Sequence, residues 1–122
     1  MKKLLSIFII AITLFNCKTE ENSHIQTLSL NEFEKAIQIE NVQLIDVRTP
    51  EEYADGHIEN AAVINYFGDD FKEKAQQLDK NKPVYLYCKS GKRSAKASKV
   101  LGELGFTKIY DLQGGYNAWS NK

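Results

Sequence analysis

The chain has 122 residues, enough for one domain and too few for two. Its 16 basic and 16 acidic residues cancel, which excludes a global electrostatic pull toward nucleic acid, so any charge argument must be local. The apolar fraction of 43% is that of a globular protein rather than a disordered one.

Residues 1–16 read as a signal peptide of the lipoprotein type. Lys2 and Lys3 precede the apolar run Leu4 to Phe15, and a basic start followed by a short apolar stretch and a processing site is an export signal. The run is shorter than the ~20 apolar residues a membrane-spanning helix needs. "LFNC", ending at Cys17, resembles the lipobox of bacterial lipoproteins, in which the cysteine is acylated. It departs from that pattern at Asn16, where Gly, Ala or Ser is usual. An ordinary cleaved signal and an uncleaved anchor are the alternatives. Residues 17–24 then form the lipid-attachment cysteine and a polar tether. The implied protein is exported, periplasmic and held on a membrane by lipid on Cys17. Loss of residues 1–16 leaves a net charge of −2 and, with Cys17 acylated, Cys88 as the sole thiol. Without acylation a Cys17–Cys88 disulfide is open.

The globular domain is placed at residues 25–122. Ser29 and Glu32 form a capping box opening a helix, with Leu28 and Phe33 as its staple. "VQLIDV" reads as a buried strand. Thr49, Pro50 and Glu52 open a second capped helix. "AAVIN" is a short apolar run, "DDFKEKAQQL" a helix with an acidic start, and "PVYLYC" a strand apolar on both faces. Ala97, Val100, Leu101 and Leu104 form the stripe of a further helix, stopped at Gly105 with Phe106 packing back on Leu101. "KIYDL" is a last strand, and "GGYNAW" turns into a terminal helix. Strands alternating with helices predict an α/β domain with a mostly parallel sheet, whose ligands sit at the carboxyl ends of strands.

Cys88 stands at such an end. "CKSGKRS" follows it and leads into a helix. Free N–H groups at a helix start favour an anion, and Gly91 permits a backbone turn that aims successive N–H groups inward. Lys89, Lys92 and Arg93 add positive charge, and helix starts and cations favour the thiolate, the reactive form of cysteine. Lys92, Arg93 and Lys96 also oppose the helix dipole, a local conflict of the kind that marks functional sites. The loop by itself leaves open a buried, inert cysteine under a solvated basic face.

Three segments resemble the rhodanese family: "LIDVRTPEEYADGHIENAAVIN" (44–65), "YCKSGKRS" (87–94) and "LQGGYNAW" (112–119). Together the resemblance covers about residues 25–120. It implies a rhodanese-like α/β domain with a central five-stranded sheet and helices on both faces. It further implies a sulfurtransferase in which Cys88 is the nucleophile and carries a persulfide. The backbone and side chains of Lys89, Ser90, Gly91, Lys92, Arg93 and Ser94 would bind a small anionic sulfur donor such as thiosulfate. Cyanide or a thiol, including a protein thiol, would be the acceptor. No metal, cofactor or nucleic acid is implied. Asp46 and Arg48 read as supporting residues, a charged pair fixing neighbouring loops. His57 reads as structural, and Gly114 and Gly115 as a turn packing close to the active loop. The alternatives are a persulfide carrier that does not turn over, and a phosphatase or arsenate reductase. The last pair use five residues between their Cys and Arg, whereas four separate Cys88 from Arg93.

Overall fold

A computed structural model describes residues 24–39 and 41–122. The expected signal peptide, Cys17 and all of the tether before His24 lie outside the described residues. Five strands, β1 (Ile25–Leu28), β2 (Gln43–Asp46), β3 (Ala62–Val63), β4 (Val84–Tyr87) and β5 (Ile109–Leu112), alternate with five helices. The helices are α1 (Leu30–Ala36), α2 (Pro50–Asp55), α3 (Phe71–Ala75), α4 (Lys92–Glu103) and α5 (Gly115–Ser120). The sheet order is β1-β5-β4-β2-β3, and every pairing is parallel.

Side chains alternate across each strand and divide the core in two. Ile45, Val84, Leu86, Cys88 and Ile109 face α3 and α4, where they meet Phe71, Ala75, Ala97 and Leu101. Leu44, Tyr87 and Leu112 face the other way, onto Phe33 of α1, Tyr53 of α2 and Trp119 of α5. Helices thus cover both faces.

The local signals act as written in the sequence. Both capping boxes form, Ser29 with Glu32 and Thr49 with Glu52. Helix α4 ends in a Schellman motif: Phe106 N–H donates to Leu101 O at 3.1 Å and Gly105 N–H to Gly102 O at 3.1 Å. One element escaped the sequence reading. "IQTL" has a mostly exposed, partly polar character, yet it forms β1 by pairing with β5 through all four residues.

Candidate active site

The site forms where β4 ends and α4 begins. Strand alternation aims Tyr87 at the α1 side and Cys88 at the α4 side, where Cys88 is 1% exposed and a free thiol. The loop then turns back over the sulfur. Gly91 adopts φ +108°, a conformation that costs other residues strain, and its N–H donates to Cys88 Sγ at 3.0 Å. Helix α4 starts on this residue without a side-chain cap, so the sulfur sits at an uncapped helix start. The thiol donates to Ser94 Oγ at 3.4 Å, and the Ser94 hydroxyl donates to Gly91 O at 3.2 Å.

The back of the loop is held by α5. The N–H of Tyr116 donates to Cys88 O at 2.7 Å and that of Asn117 to Lys89 O at 3.0 Å. This approach requires glycine at 115. A Cβ there would lie 2.5 Å from Cys88 O and 2.7 Å from Lys89 O, and Gly115 also has φ +58°. The turn of Gly114 and Gly115 therefore carries the start of α5 onto the carbonyls of the active loop.

The basic residues divide by role. Lys89 and Lys92 are exposed at the mouth, with Ser90 between them. Arg93 is not free: its guanidinium forms a bidentate pair with Glu52 of α2, at 2.6 and 3.0 Å. That hydrogen bonding holds the Glu52 carboxyl down at about 2. Glu52 keeps its capping bonds to Thr49 as well, so one carboxylate both starts α2 and moors α4. Sequence reasoning found the cap and missed the mooring.

Asp46 and Arg48 form a buried pair, with Arg48 Nη2 2.8 Å from Asp46 Oδ2. Arg48 also donates to Gly56 O at 2.6 Å and lies 4.2 Å over the Tyr116 ring. Because Tyr116 N–H holds the Cys88 carbonyl, this pair supports the loop from behind rather than facing the sulfur. His57 is exposed, stacked on Tyr53 at 3.7 Å, with Nδ1 2.9 Å from Tyr53 O. A groove of about 590 Å³, lined by Ile37, Val42, Ile58 and Trp119 among others, includes no residue of the active loop.

One more residue reaches this region. Asp111 of β5 pairs with Leu86 of β4 and points to the α4 side, as Ile109 does two residues before it. It is 6% exposed. Burial pushes its carboxyl up to about 6, while the Ser94 hydroxyl acts in the opposite sense. An acid inside the apolar run "KIYDL" was the available signal, and sequence reading passed over it.

The Asp46–Arg48 pair, the Cys88 loop at the end of β4 and the Gly114–Gly115 turn that clamps this loop bring the three motifs to one place. The rhodanese-like domain profile matches residues 29–122. The chain belongs to the rhodanese-like domain family. It is 39% identical to YqhL of Bacillus subtilis over 97 residues, covering 80% of this chain and 74% of that protein. It is 31% identical over 97 residues to the thiosulfate sulfurtransferase GlpE of Shewanella oneidensis, covering 80% and 94%. Among solved structures, a rhodanese-like domain protein of Staphylococcus aureus superposes with a TM-score of 0.68 at 34% identity. That match covers 77% of this chain and 90% of that one. Family and relatives support a sulfurtransferase or sulfur-carrier role for this rhodanese-like chain.

Proposed function

We propose that this protein is a sulfurtransferase that moves sulfane sulfur from a donor such as thiosulfate to a thiol or cyanide acceptor, through a persulfide on Cys88. The observation that carries the reading is the placement of Cys88 Sγ, 3.0 Å from the Gly91 N–H at the start of α4. The Cys88 thiolate attacks the outer sulfur of thiosulfate. A new S–S bond forms, the donor's own S–S bond breaks, and sulfite leaves with that electron pair. The acceptor then attacks the terminal sulfur of the persulfide and returns Cys88 as thiolate. Two half-reactions on one nucleophile predict ping-pong kinetics. Backbone N–H groups of the loop stabilise the anionic persulfide. With Arg93 paired to Glu52, the anionic donor is drawn chiefly by the exposed Lys89 and Lys92.

The test is intact-mass spectrometry of the full-length protein after incubation with thiosulfate, with Cys88→Ser beside it. The expected result is a gain of one sulfur atom on the wild type alone, removed by cyanide. A gain on both proteins, or on neither with any sulfane donor, overturns the reading. A persulfide that forms but passes to no acceptor identifies a carrier instead.

We further propose that the domain is exported and tethered to a membrane by lipid on Cys17. The support is the basic start, the short apolar run and the "LFNC" sequence. Cys17→Ala is expected to move the protein out of the membrane fraction; retention there contradicts acylation.

A further inference from the structure

Three of the buried polar residues, Ser94, Ser98 and Asp111, lie together with Cys88 between α4 and the sheet. Ser94 and Ser98 are fully buried, four residues apart on the inner face of α4. Asp111 lies below them, between Leu86 of β4 and Thr27 of β1 in register. Among the described residues, Asp111 Oδ1 and Ser98 Oγ have no hydrogen-bond partner. Buried polar atoms are rarely left so, because each costs the full desolvation of the group. The transfer reaction described above gives this carboxyl nothing to do.

The Ser94 hydroxyl joins the acid to the nucleophile. It accepts from the Cys88 thiol at 3.4 Å and is the one hydrogen-bonding group acting on the Asp111 carboxyl. A hydroxyl can accept and donate at once, and its proton rotates to suit. In the structure that proton goes to Gly91 O at 3.2 Å; rotated about its C–O bond, the same hydroxyl can instead serve the Asp111 carboxylate, on which it acts in the lowering sense.

We propose that Asp111, acting through the Ser94 hydroxyl, takes up the thiol proton of Cys88, so that carboxyl and sulfur share a single negative charge. The S–H bond of Cys88 breaks and its electron pair stays on sulfur. The proton joins Ser94 Oγ, and the Ser94 proton passes to Asp111. The pocket exchanges thiol and carboxylate for thiolate and carboxylic acid with no change in net charge. In the second state the acid donates to Ser94 Oγ, and the hydroxyl is free to donate to the thiolate. A second negative charge in this dry space would repel the first.

The surroundings suit such a pair. Asp111 stands in register with Leu86 of β4 and Thr27 of β1, on the face of the sheet that α4 covers with the buried Ser94 and Ser98. Among the described residues no charged side chain acts on it. Arg93 is held by Glu52, and Lys89, Lys92 and Lys96 are exposed. Asp46 and Arg48 lie on the opposite face of the sheet, where Leu44 also points. A carboxyl raised to about 6 by burial is a proton acceptor matched to neutral pH. Asp111 is thus a positioning residue, and it rests on the reading of Cys88 as the nucleophile.

The test is the rate of Cys88 alkylation by iodoacetamide between about pH 4 and about pH 9. It is read on the Cys88 peptide of the full-length protein, and uses no sulfur donor. The wild-type profile is expected to carry an inflection near pH 6 from Asp111 in addition to that of the thiol. Asp111→Asn should abolish this inflection and slow alkylation at neutral pH by about tenfold. Ser94→Ala, which keeps the acid but breaks the relay, should do the same. A merely structural role predicts lost reactivity together with lost stability; the relay predicts slower alkylation in an Asp111→Asn protein that is as stable as wild type or more so. A wild-type profile without the carboxyl inflection overturns the proposal. So does an Asp111→Asn or, if that variant fails to fold, a Ser94→Ala profile that matches wild type. Failure of the wild type to form a persulfide, with the alkylation profile intact, instead sinks the sulfur-transfer reading alone.

Discussion

Asp111 and Glu52 are carboxylates shifted in opposite directions, and each shift is a statement about stability. Asp111 titrates near 6 when folded, against 3.8 when free. Between those values the folded chain binds more protons than the unfolded one, so stability falls as pH rises through this window. Asp111→Asn should therefore raise the melting temperature at pH 7, by the equivalent of on the order of 2 kcal/mol, and the gain should vanish near pH 4. A gain that does not depend on pH would show that charge burial is not its cause. Glu52 behaves in the reverse sense. Its carboxyl is held at about 2 against 4.5 when free. The contribution is complete above the unfolded value and is lost as pH falls toward 2. The urea midpoints of wild type and Glu52→Gln should converge across that window. Because the pair is partly exposed, added salt should also narrow the gap.

At the scale of elements, the site depends on two starts of helices that serve different ends. The start of α4 faces the sulfur through Gly91 N–H. The start of α5 faces away from the sulfur and grips the loop by the carbonyls of Cys88 and Lys89. Gly115→Ala should push the two apart, because its Cβ would fall within 2.7 Å of that backbone. A displacement of this size is expected to cost about a hundredfold in persulfide formation, with far-UV circular dichroism unchanged. Full activity in this variant would mean that the clamp does not position Cys88. The exposed lysines act on binding. Lys89→Ala combined with Lys92→Ala should raise KM for thiosulfate and leave kcat nearly unchanged, an effect that weakens at high ionic strength.

At the scale of the whole molecule, parallel pairing decides where things lie. All five strands run the same way, so β1 starts at the end of the sheet opposite the one where Cys88 stands. Ile25 therefore lies at the far pole from Cys88. A folded protein fused to the N-terminus should leave the Cys88 alkylation rate unchanged; strong protection of Cys88 by that fusion would contradict the polarity.

Helix starts, the Schellman stop after α4 and the Cys88 loop were legible in the sequence, because each is written in a few neighbouring residues. Short-range bonds between backbone and side chain do not wait for the fold. The segment "IQTL" was not legible as a strand, since its reason to be extended is a partner, β5, more than eighty residues away. The same holds for the charges. Arg93 looks like an anion ligand in the loop, and only the docking of α2 on α4 turns it into the partner of Glu52. Asp111 looks like a stray acid in an apolar strand until α4 lays Ser94 and Ser98 over it. The sequence by itself determined the helices, most of the strands and the place of Cys88 at a strand end, which follow from local propensity and pattern. Tertiary structure alone decided which charges are neutralised, which acid is buried and which backbone groups clamp the loop, because burial and pairing depend on residues far apart in the chain.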